Sequence, residues 1–197
     1  MSFMREKRSP IQIDWRTGAL SGEPVACSIK KISELNPLFL HPEIAAGMDP
    51  EAVVYRVEYW LPVTEGTTGG LFWGTTVVEP GKVGDEFFMT HGHFHAMRNR
   101  AEFYATVRGE GALILMDEDG RTWFEPMQPG SLHYIPGATA HRVANTGSAP
   151  LAFAGCWPSD AGHDYAAIRE TGFGARLLDI DGQPILVPDP VHARTQG

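Results

Sequence analysis

Short apolar segments, separated by turns that contain glycine and recur along the chain, constrain the fold more than any other feature of this sequence. The segments at residues 53–61 and 71–78 are rich in β-branched and aromatic residues, which favour β-strands. The turn dipeptides are Pro80-Gly81, Arg108-Gly109, Asp119-Gly120, Pro129-Gly130, Pro136-Gly137 and Thr146-Gly147. Short strands between such turns predict an all-β barrel or sandwich with antiparallel pairing.

The 197 residues are enough for one domain with its own core. Residues 1–50 begin with a polar stretch that is interrupted by turn residues, and we expect them to form an amino-terminal extension that packs on the barrel or on a partner subunit. Residues 51–190 are expected to form the barrel. Residues 163–170 predict one short helix near the carboxyl terminus, ended by Gly172, and two final strands follow at residues 176–180 and 184–187.

The composition excludes several classes of partner. A formal net charge of −8 argues against nucleic acid or an anionic membrane surface, because both require clustered lysine and arginine. No segment approaches the roughly 20 apolar residues of a membrane span, and no secretory signal is recognisable. Cys27 and Cys156 are the only cysteines, too few for a disulfide scaffold. We therefore expect a cytoplasmic protein with reduced thiols that acts on a small molecule.

Folding alone does not explain the histidine-rich run at residues 90–102. His91, His93 and His95 lie two residues apart, so in a strand all three, or any neighbouring pair, can point to the same face. Glu102 follows, and a later turn-strand-turn segment brings His141 to the start of another strand. Imidazole nitrogens with a carboxylate are typical ligands of a divalent metal. The competing interpretations are solvated surface histidines or a serine hydrolase, and the latter is disfavoured because no G-x-S-x-G elbow occurs.

These two segments resemble the signature motifs of the cupin superfamily. The first is a glycine-led HxH run followed by a glutamate, and the second has the form PG…P…H…N. The resemblance implies a double-stranded β-helix, an antiparallel jelly-roll barrel that holds one metal ion. Carried over residue by residue, it implies that the metal ligands are His93, His95, Glu102 and His141.

Over residues 50–175 the chain looks like the cupin-type glucose-6-phosphate isomerases. The matching strings are Gly74-Thr75-Thr76, Val83-Gly84-Asp85-Glu86-Phe87, Thr90 with Gly92-His93-Phe94-His95-Ala96, Arg100-Ala101-Glu102, and Pro158 with Asp160-Ala161-Gly162-His163-Asp164-Tyr165. Two positions differ, because Trp157 replaces a tyrosine-like phenol and His91 replaces a frequent lysine. The resemblance implies cytosolic homodimers that interconvert glucose 6-phosphate and fructose 6-phosphate with one divalent metal per subunit, iron being expected and manganese, nickel or zinc being alternatives.

The same resemblance implies roles for particular residues. Glu102 would be the base that moves a proton between C1 and C2, although a metal-assisted hydride shift would use the same ligands. His163 and Tyr165 would assist at the sugar. The substrate-binding residues would be Thr76, Thr90, Gly92, Tyr104 and Trp157, of which Thr76, Thr90 and Gly92 would hold the phosphate. The alternatives are a cupin dioxygenase with the same iron ligands and a cupin that binds a sugar phosphate without turnover.

Overall fold

The structure is a computed structural model and describes residues 9–189. Within that range antiparallel strands dominate, and they are β1 Gln12–Ile13, β2 Leu20–Ser21, β3 Ala26–Lys31, β4 Val53–Trp60, β5 Leu71–Val78, β6 Lys82–Val83, β7 Glu86–Phe87, β8 Glu102–Arg108, β9 Gly111–Met116, β10 Thr122–Met127, β11 Leu132–Ile135, β12 Ala140–Asn145, β13 Leu151–Pro158, β14 Ala175–Ile180 and β15 Gln183–Pro188. The helices are α1 Ile32–Leu35, α2 Pro42–Ala46 and α3 Tyr165–Thr171, with a 3₁₀ turn at Asn36–Leu38. In these residues no helix has the length and apolar character to cross a bilayer. The predicted all-β antiparallel barrel is confirmed.

Three sheets enclose the core. The largest has the strand order β11-β8-β13-β5-β4-β3, and the others are β10-β9-β12 and β15-β14-β7-β6. Every residue of β9 is buried, because this apolar strand is the central one of its sheet. Its side chains Leu113, Ile114 and Leu115 are at most 2% exposed and belong to the main hydrophobic cluster. Burial of this apolar area is the main force that holds the sheets together.

The amino-terminal residues lie against the largest sheet. Strands β1 and β2 form a hairpin, and the backbone N–H of Leu20 donates a hydrogen bond to Glu58 on β4 at 2.7 Å. A Cβ atom on Gly18 would lie 3.1 Å from that of Ala152 on β13. Strand β3 then pairs with β4 and becomes the edge strand of the sheet. Residues 1–8 of the predicted extension lie outside the described residues, and the boundary at residue 50 stays a prediction.

Helix α3 begins two residues later than the sequence indicates. The side chain of Asp164 accepts a hydrogen bond from the backbone of Ala167 at 3.2 Å, which makes Asp164 the N-cap. The backbone N–H of Asp164 is itself bonded to the carbonyl of Phe94 at 2.8 Å, so this residue is held in a strand-like bridge and cannot be helical. His163 therefore lies on a loop and not on the helix.

A buried ionic network joins β7 to the carboxyl-terminal hairpin. Glu86 is 1% exposed, and Arg176 on β14 approaches its carboxylate at 3.0 Å and Asp189 at 2.6 Å. Glu86 also accepts a hydrogen bond from the backbone of Leu40 at 2.6 Å, and Arg176 donates to the carbonyl of Leu38 at 2.9 Å. One arginine and one glutamate thus fix the segment between the 3₁₀ turn and α2 on the barrel.

We predict that Glu86→Ala lowers the free energy of unfolding by about 3–5 kcal/mol, because it leaves Arg176 buried without this carboxylate. Urea denaturation of the purified variant would measure the loss. Glu86→Gln is the matched control, since it keeps an oxygen for the N–H of Leu40 and should cost less than the alanine variant. A loss below about 1 kcal/mol for Glu86→Ala would contradict this role, since that is the value of an exposed pair.

Candidate metal centre and its cavity

Backbone pairing brings the two sequence motifs together. His93 and His141 form an antiparallel bridge in which the N–H of His93 donates to the carbonyl of His141 at 3.2 Å and the reverse bond is 3.0 Å long. The two imidazole rings lie with their centroids 4.4 Å apart. Because the bridge fixes both backbones, the histidine of β12 faces the histidine-rich run in one defined orientation.

Gly92 decides which histidines point into the cluster. Its φ angle is 78°, and an added Cβ would lie 2.9 Å from both Arg142 Nε and Phe173, so only glycine fits. This left-handed residue breaks the regular alternation of the strand. His91 instead packs against Tyr165 with its ring tilted by 35° and the centroids 4.7 Å apart, and it does not join the cluster.

Four side chains converge to form a cluster of potential metal ligands. The potential ligand atoms of His93, His95, Glu102 and His141 all lie within 4.8 Å of one another. Oε2 of Glu102 is 3.3 Å from Nε2 of His95 and 3.2 Å from Nε2 of His141. These are the four residues that the resemblance assigned as metal ligands, and the structure places them side by side in the barrel.

The histidine tautomers suit a cation. The Nδ1 atom of His95 lies 2.9 Å from the carbonyl of Arg100, and that of His141 lies 3.4 Å from the carbonyl of Thr139. A carbonyl can only accept, so Nδ1 carries the proton and Nε2 keeps its lone pair. Within residues 9–189, Nε2 of His93, His95 and His141 is buried and has no hydrogen-bond partner. Three unpartnered nitrogens and a carboxylate fit a divalent metal ion.

The pKa shifts of His93 and Glu102 agree with this fit. Burial lowers the pKa of His93 well below its ordinary value, and the neighbouring His141 and His163 lower it further, so the ring is neutral. Burial by itself would raise the pKa of Glu102, but its contacts with His141 and His95 outweigh this effect and lower the pKa. Burial by itself would lower the pKa of His95, but its contacts with Glu102 and the carbonyl of Arg100 raise it. The cluster therefore combines the neutral ring of His93 with one ionised carboxylate that faces His95.

Two ion pairs fasten the loop before Glu102 to the loop that carries His163. Arg100 forms a two-pronged contact with Asp160 at 2.8 and 2.7 Å, and Arg98 bonds Asp164 at 2.6 Å. Arg98 also donates to the carbonyl of His95 at 3.0 Å. Because the carbonyl of Arg100 orients His95, the Arg100–Asp160 pair positions a ligand and the loop above it together.

A cavity of about 430 Å³ opens beside the cluster. All residues that the resemblance implied for substrate binding or assistance line it, namely Thr76, Thr90, Gly92, Tyr104, Trp157, His163 and Tyr165. His93, Glu102 and His141 line it as well, whereas His95 lies behind them. The volume falls within the range of small-molecule sites. These residues lie in one cavity, and the roles that the resemblance implies for them stay predictions.

The floor of the cavity requires a residue without a side chain. A methyl group at Gly155 on β13 would lie 3.0 Å from Oε1 of Glu102 and 3.0 Å from the ring of Tyr104. Burial raises the pKa of Tyr104 well above its ordinary value, so its phenol stays protonated and can donate. Gly155 thus allows Glu102 to direct one oxygen at the histidines and the other at the cavity.

His163 and Tyr165 form a parallel stack at the other side of the cluster. Their ring planes differ by 6° and their centroids lie 5.5 Å apart, while His163 is 4.4 Å from the ring of His93. Burial lowers the pKa of His163, so the ring is largely neutral and can either donate or accept a hydrogen bond. Both side chains can reach a ligand held above the cluster.

Among the cavity residues that the sequence analysis did not assign, three matter most to the site. Lys30 and Tyr55 line the cavity from β3 and β4, and Gly155 shapes its floor. The alternation of Ser28 and Lys30 would have placed both on one face of β3, but only the long-range pairing of β3 with β4 shows that this face points inward. Gly155 gives no sequence signal, because its role depends on what lies opposite.

Comparisons with known proteins agree with this geometry. Residues 29–187 match the family model described as glucose-6-phosphate isomerase (GPI). A protein named glucose-6-phosphate isomerase from Pyrococcus horikoshii is 38% identical over 91% of this chain and 94% of its own length. The protein of that name from Thermococcus kodakarensis is 40% identical over 94% of this chain and 97% of its own length. The protein of that name from Sinorhizobium medicae is 34% identical over 86% of this chain and 79% of its own.

Among solved structures, an oxalate decarboxylase from Bacillus subtilis overlaps 55% of this chain and 27% of its own, with 23% identity and a TM-score of 0.43. The family model and the curated relatives, by contrast, extend over most of the chain, and they cover the histidine motifs, Glu102 and the loop of His163. The chain belongs to the glucose-6-phosphate isomerase family, in its cupin-type form.

Proposed function

We propose that this protein interconverts glucose 6-phosphate and fructose 6-phosphate as an aldose-ketose isomerase that uses a divalent metal ion. One observation carries the proposal: the cluster of three histidines and Glu102 opens onto a cavity whose other walls supply hydroxyl and imidazole donors. The name shared by relatives that match over nine-tenths of the chain supports the same activity. A phosphorylated hexose fits a cavity of about 430 Å³.

The reaction moves a hydrogen atom between C1 and C2 beside a carbonyl group and passes through an enediolate. A bound divalent metal supplies a Lewis acid that polarises the oxygens of the substrate. Glu102 is the base in this proposal. Its Oε2 faces His95 and His141, while its Oε1 faces the space above Gly155, where the reacting carbons would lie. Because the carboxylate is ionised, it can take a proton from one carbon and return it to the other.

Donors in the cavity wall at residues 76 and 90–92 suit the phosphate group. The hydroxyl oxygen of Thr90 accepts a hydrogen bond from the backbone of Val143 at 3.0 Å, so its hydrogen is left to donate to a ligand. Thr76 and the backbone of Gly92 complete the proposed phosphate site. His163 and Tyr165 would donate to the sugar hydroxyl groups from above.

The side chain of Trp157 forms an apolar wall of the cavity. Its ring packs edge-on against Phe72 with centroids 6.1 Å apart, and it lies close enough to Gly74 that an added Cβ there would be 3.0 Å away. A wall of this kind excludes water from the reacting carbons, which strengthens the electrostatic interactions inside the site.

The ligand and base assignments predict different outcomes for two variants. Glu102→Gln should keep part of the metal but lower kcat at least about 100-fold, because the amide cannot act as a base. His141→Ala should lose most of the metal, since it removes one of four ligands. Metal content by atomic emission and a coupled assay on fructose 6-phosphate would measure both, with mannose 6-phosphate included to judge specificity. Parent-like rates in both variants would refute the assignments.

Oxygen separates the proposed isomerase from a dioxygenase that has the same ligands. We expect the turnover of fructose 6-phosphate to be unchanged under anaerobic conditions, to stop when a chelator removes the metal, and to return when a divalent ion is added. Oxygen consumption during turnover would instead indicate dioxygenase chemistry. Calorimetric binding of the sugar phosphate without any product would indicate a binding protein.

The proposal includes three finer points that follow from the family resemblance: iron as the metal, a cytoplasmic location and a homodimer. A surface feature supports the dimer. Phe103, Leu132 and Tyr134 lie on the outer face of the largest sheet and are 57%, 75% and 55% exposed, and the rings of Phe103 and Tyr134 are 5.2 Å apart. Adjacent exposed apolar side chains of this size are typical of a surface that another subunit covers.

We therefore predict that the parent protein has the mass of a dimer in light scattering coupled to gel filtration. Phe103→Ser combined with Leu132→Ser should shift it towards the monomer, because both changes remove apolar area from the outer face. Ile29→Ser is a control on the same sheet at a distance from these residues, and it should leave the mass unchanged. A parent protein that is monomeric at micromolar concentration would refute the prediction.

A further inference from the structure

Lys30 lies in the wall of the cavity and is not used by the proposed reaction. It belongs to edge strand β3 and pairs with Tyr55 on β4. Burial raises the pKa of Tyr55, and the backbone of His91, which stands between Thr90 and Gly92, acts in the opposite direction, so the phenol lies near this segment. Tyr55, Thr90, His91 and Gly92 all line the same cavity. Directly paired residues of antiparallel strands lie about 5 Å apart. Lys30 is therefore next to a residue that shares the cavity wall with the segment that the proposed function assigns to the phosphate.

The charges around the cavity make this lysine unusual. Among the described residues that line the cavity it is the only lysine or arginine, whereas Glu65 and Glu102 are carboxylates. The whole chain has a formal net charge of −8. A phosphate dianion that enters this cavity meets a field of its own sign, unless a local cation offsets it. Lys30 is the side chain of the lining that can do so.

The contact that Lys30 makes in the structure does not explain its position. Its Nζ atom lies 2.7 Å from Oε1 of Glu34, and the two side chains are 37% and 44% exposed. Exposed pairs of this kind contribute little to stability. The pair instead holds a flexible ammonium group at the cavity mouth, from which an incoming phosphate can recruit it.

A second cation lies behind the same segment. Arg142 is 6% exposed, donates to the carbonyl of His91 at 3.1 Å and stacks on Phe173 at 4.1 Å. Burial lowers the pKa of Arg142 to about 10, and the buried carboxylates of Glu86 and Asp189 only partly offset this effect. Its Nη1 atom donates to the sulfur of Met89 at 3.1 Å, and among the described residues its Nε atom has no hydrogen-bond partner. Such a buried charge is stabilised by an anion close by. The segment at residues 90–92 thus has Arg142 behind it and shares the cavity wall with Lys30.

We propose that Lys30 is the residue that selects a phosphorylated sugar, by binding the phosphate from the side opposite Thr90 and Gly92, with Arg142 reinforcing the site from behind the backbone. This inference rests on the proposed function for the identity of the sugar but not for the binding of phosphate. It assigns to the amino-terminal strand a direct part in substrate recognition.

Kinetics of Lys30→Met test this role. The methionine keeps the apolar stem of the side chain and removes its charge. We expect KM for fructose 6-phosphate to rise about 10- to 100-fold, as for the loss of one charge-assisted contact, with kcat within about twofold of the parent. Lys30→Arg should restore KM to within about threefold. An unchanged KM in Lys30→Met, or a loss confined to kcat, would overturn the proposal.

Lys31→Met is the matched control. Lys31 follows Lys30 on the same strand, pairs with Glu51 and does not line the cavity, so this variant changes the net charge equally and should leave KM unchanged. An equal rise in both variants would mean that overall charge, and not Lys30, is responsible. Thermal unfolding of each variant checks that the fold is retained.

Binding of inorganic phosphate separates this inference from the proposed function. Calorimetric titration of the metal-loaded protein should show phosphate binding that weakens about tenfold or more in Lys30→Met and is unchanged in Lys31→Met. If the parent protein binds phosphate in this pattern but does not isomerise the sugar, the proposed function fails and the phosphate site stands. Equal phosphate binding by the parent and Lys30→Met, or none by the parent, overturns the inference.

Discussion

The site depends on the paired hydrogen bonds between His93 and His141. They join the loop before β8 to strand β12. Once the bridge is formed, His95 and Glu102 have little freedom. The carbonyl of Arg100 orients the ring of His95, and Arg100 is itself fixed by Asp160. The cluster is thus held by backbone groups and ion pairs outside it, so its geometry exists before any substrate arrives.

A buried cluster of this kind is costly without a cation. The histidine Nε2 atoms have lost water and have gained no hydrogen bond, and Glu102 is 5% exposed. Unsatisfied buried polar groups of this sort cost several kcal/mol between them, about 1–3 kcal/mol each. A divalent ion satisfies all of them at once, so binding of the metal and stability of the barrel are coupled. The apolar strand β9, which pairs with β12, supplies the rigid support that keeps His141 in place without it.

Much of the fold and the ligand set could be predicted from the sequence, because both depend on local signals. The turn glycines and β-branched segments indicated the antiparallel barrel. The spacing of His91, His93 and His95, followed by Glu102, indicated a metal, and the cupin resemblance selected the ligand set. Alternation alone could not choose between His91 and His95, because Gly92 takes a left-handed conformation that alternation ignores. The start of α3 was predicted two residues early, since the bridge between Phe94 and Asp164 is a long-range contact.

The same reasoning explains why Lys30 could not be assigned from the sequence. A lysine on an exposed edge strand is ordinary, and many edge strands carry one to prevent aggregation. Its inward direction depends on the register between β3 and β4, and a shift by one residue would exchange Lys30 with Lys31 and move the charge to the outer face. Recognition of an anion by an acidic protein therefore depends on strand register as much as on residue type. The proposed phosphate contact of Lys30 comes from an edge strand without a motif, whereas the residues of the metal cluster come from the two histidine motifs.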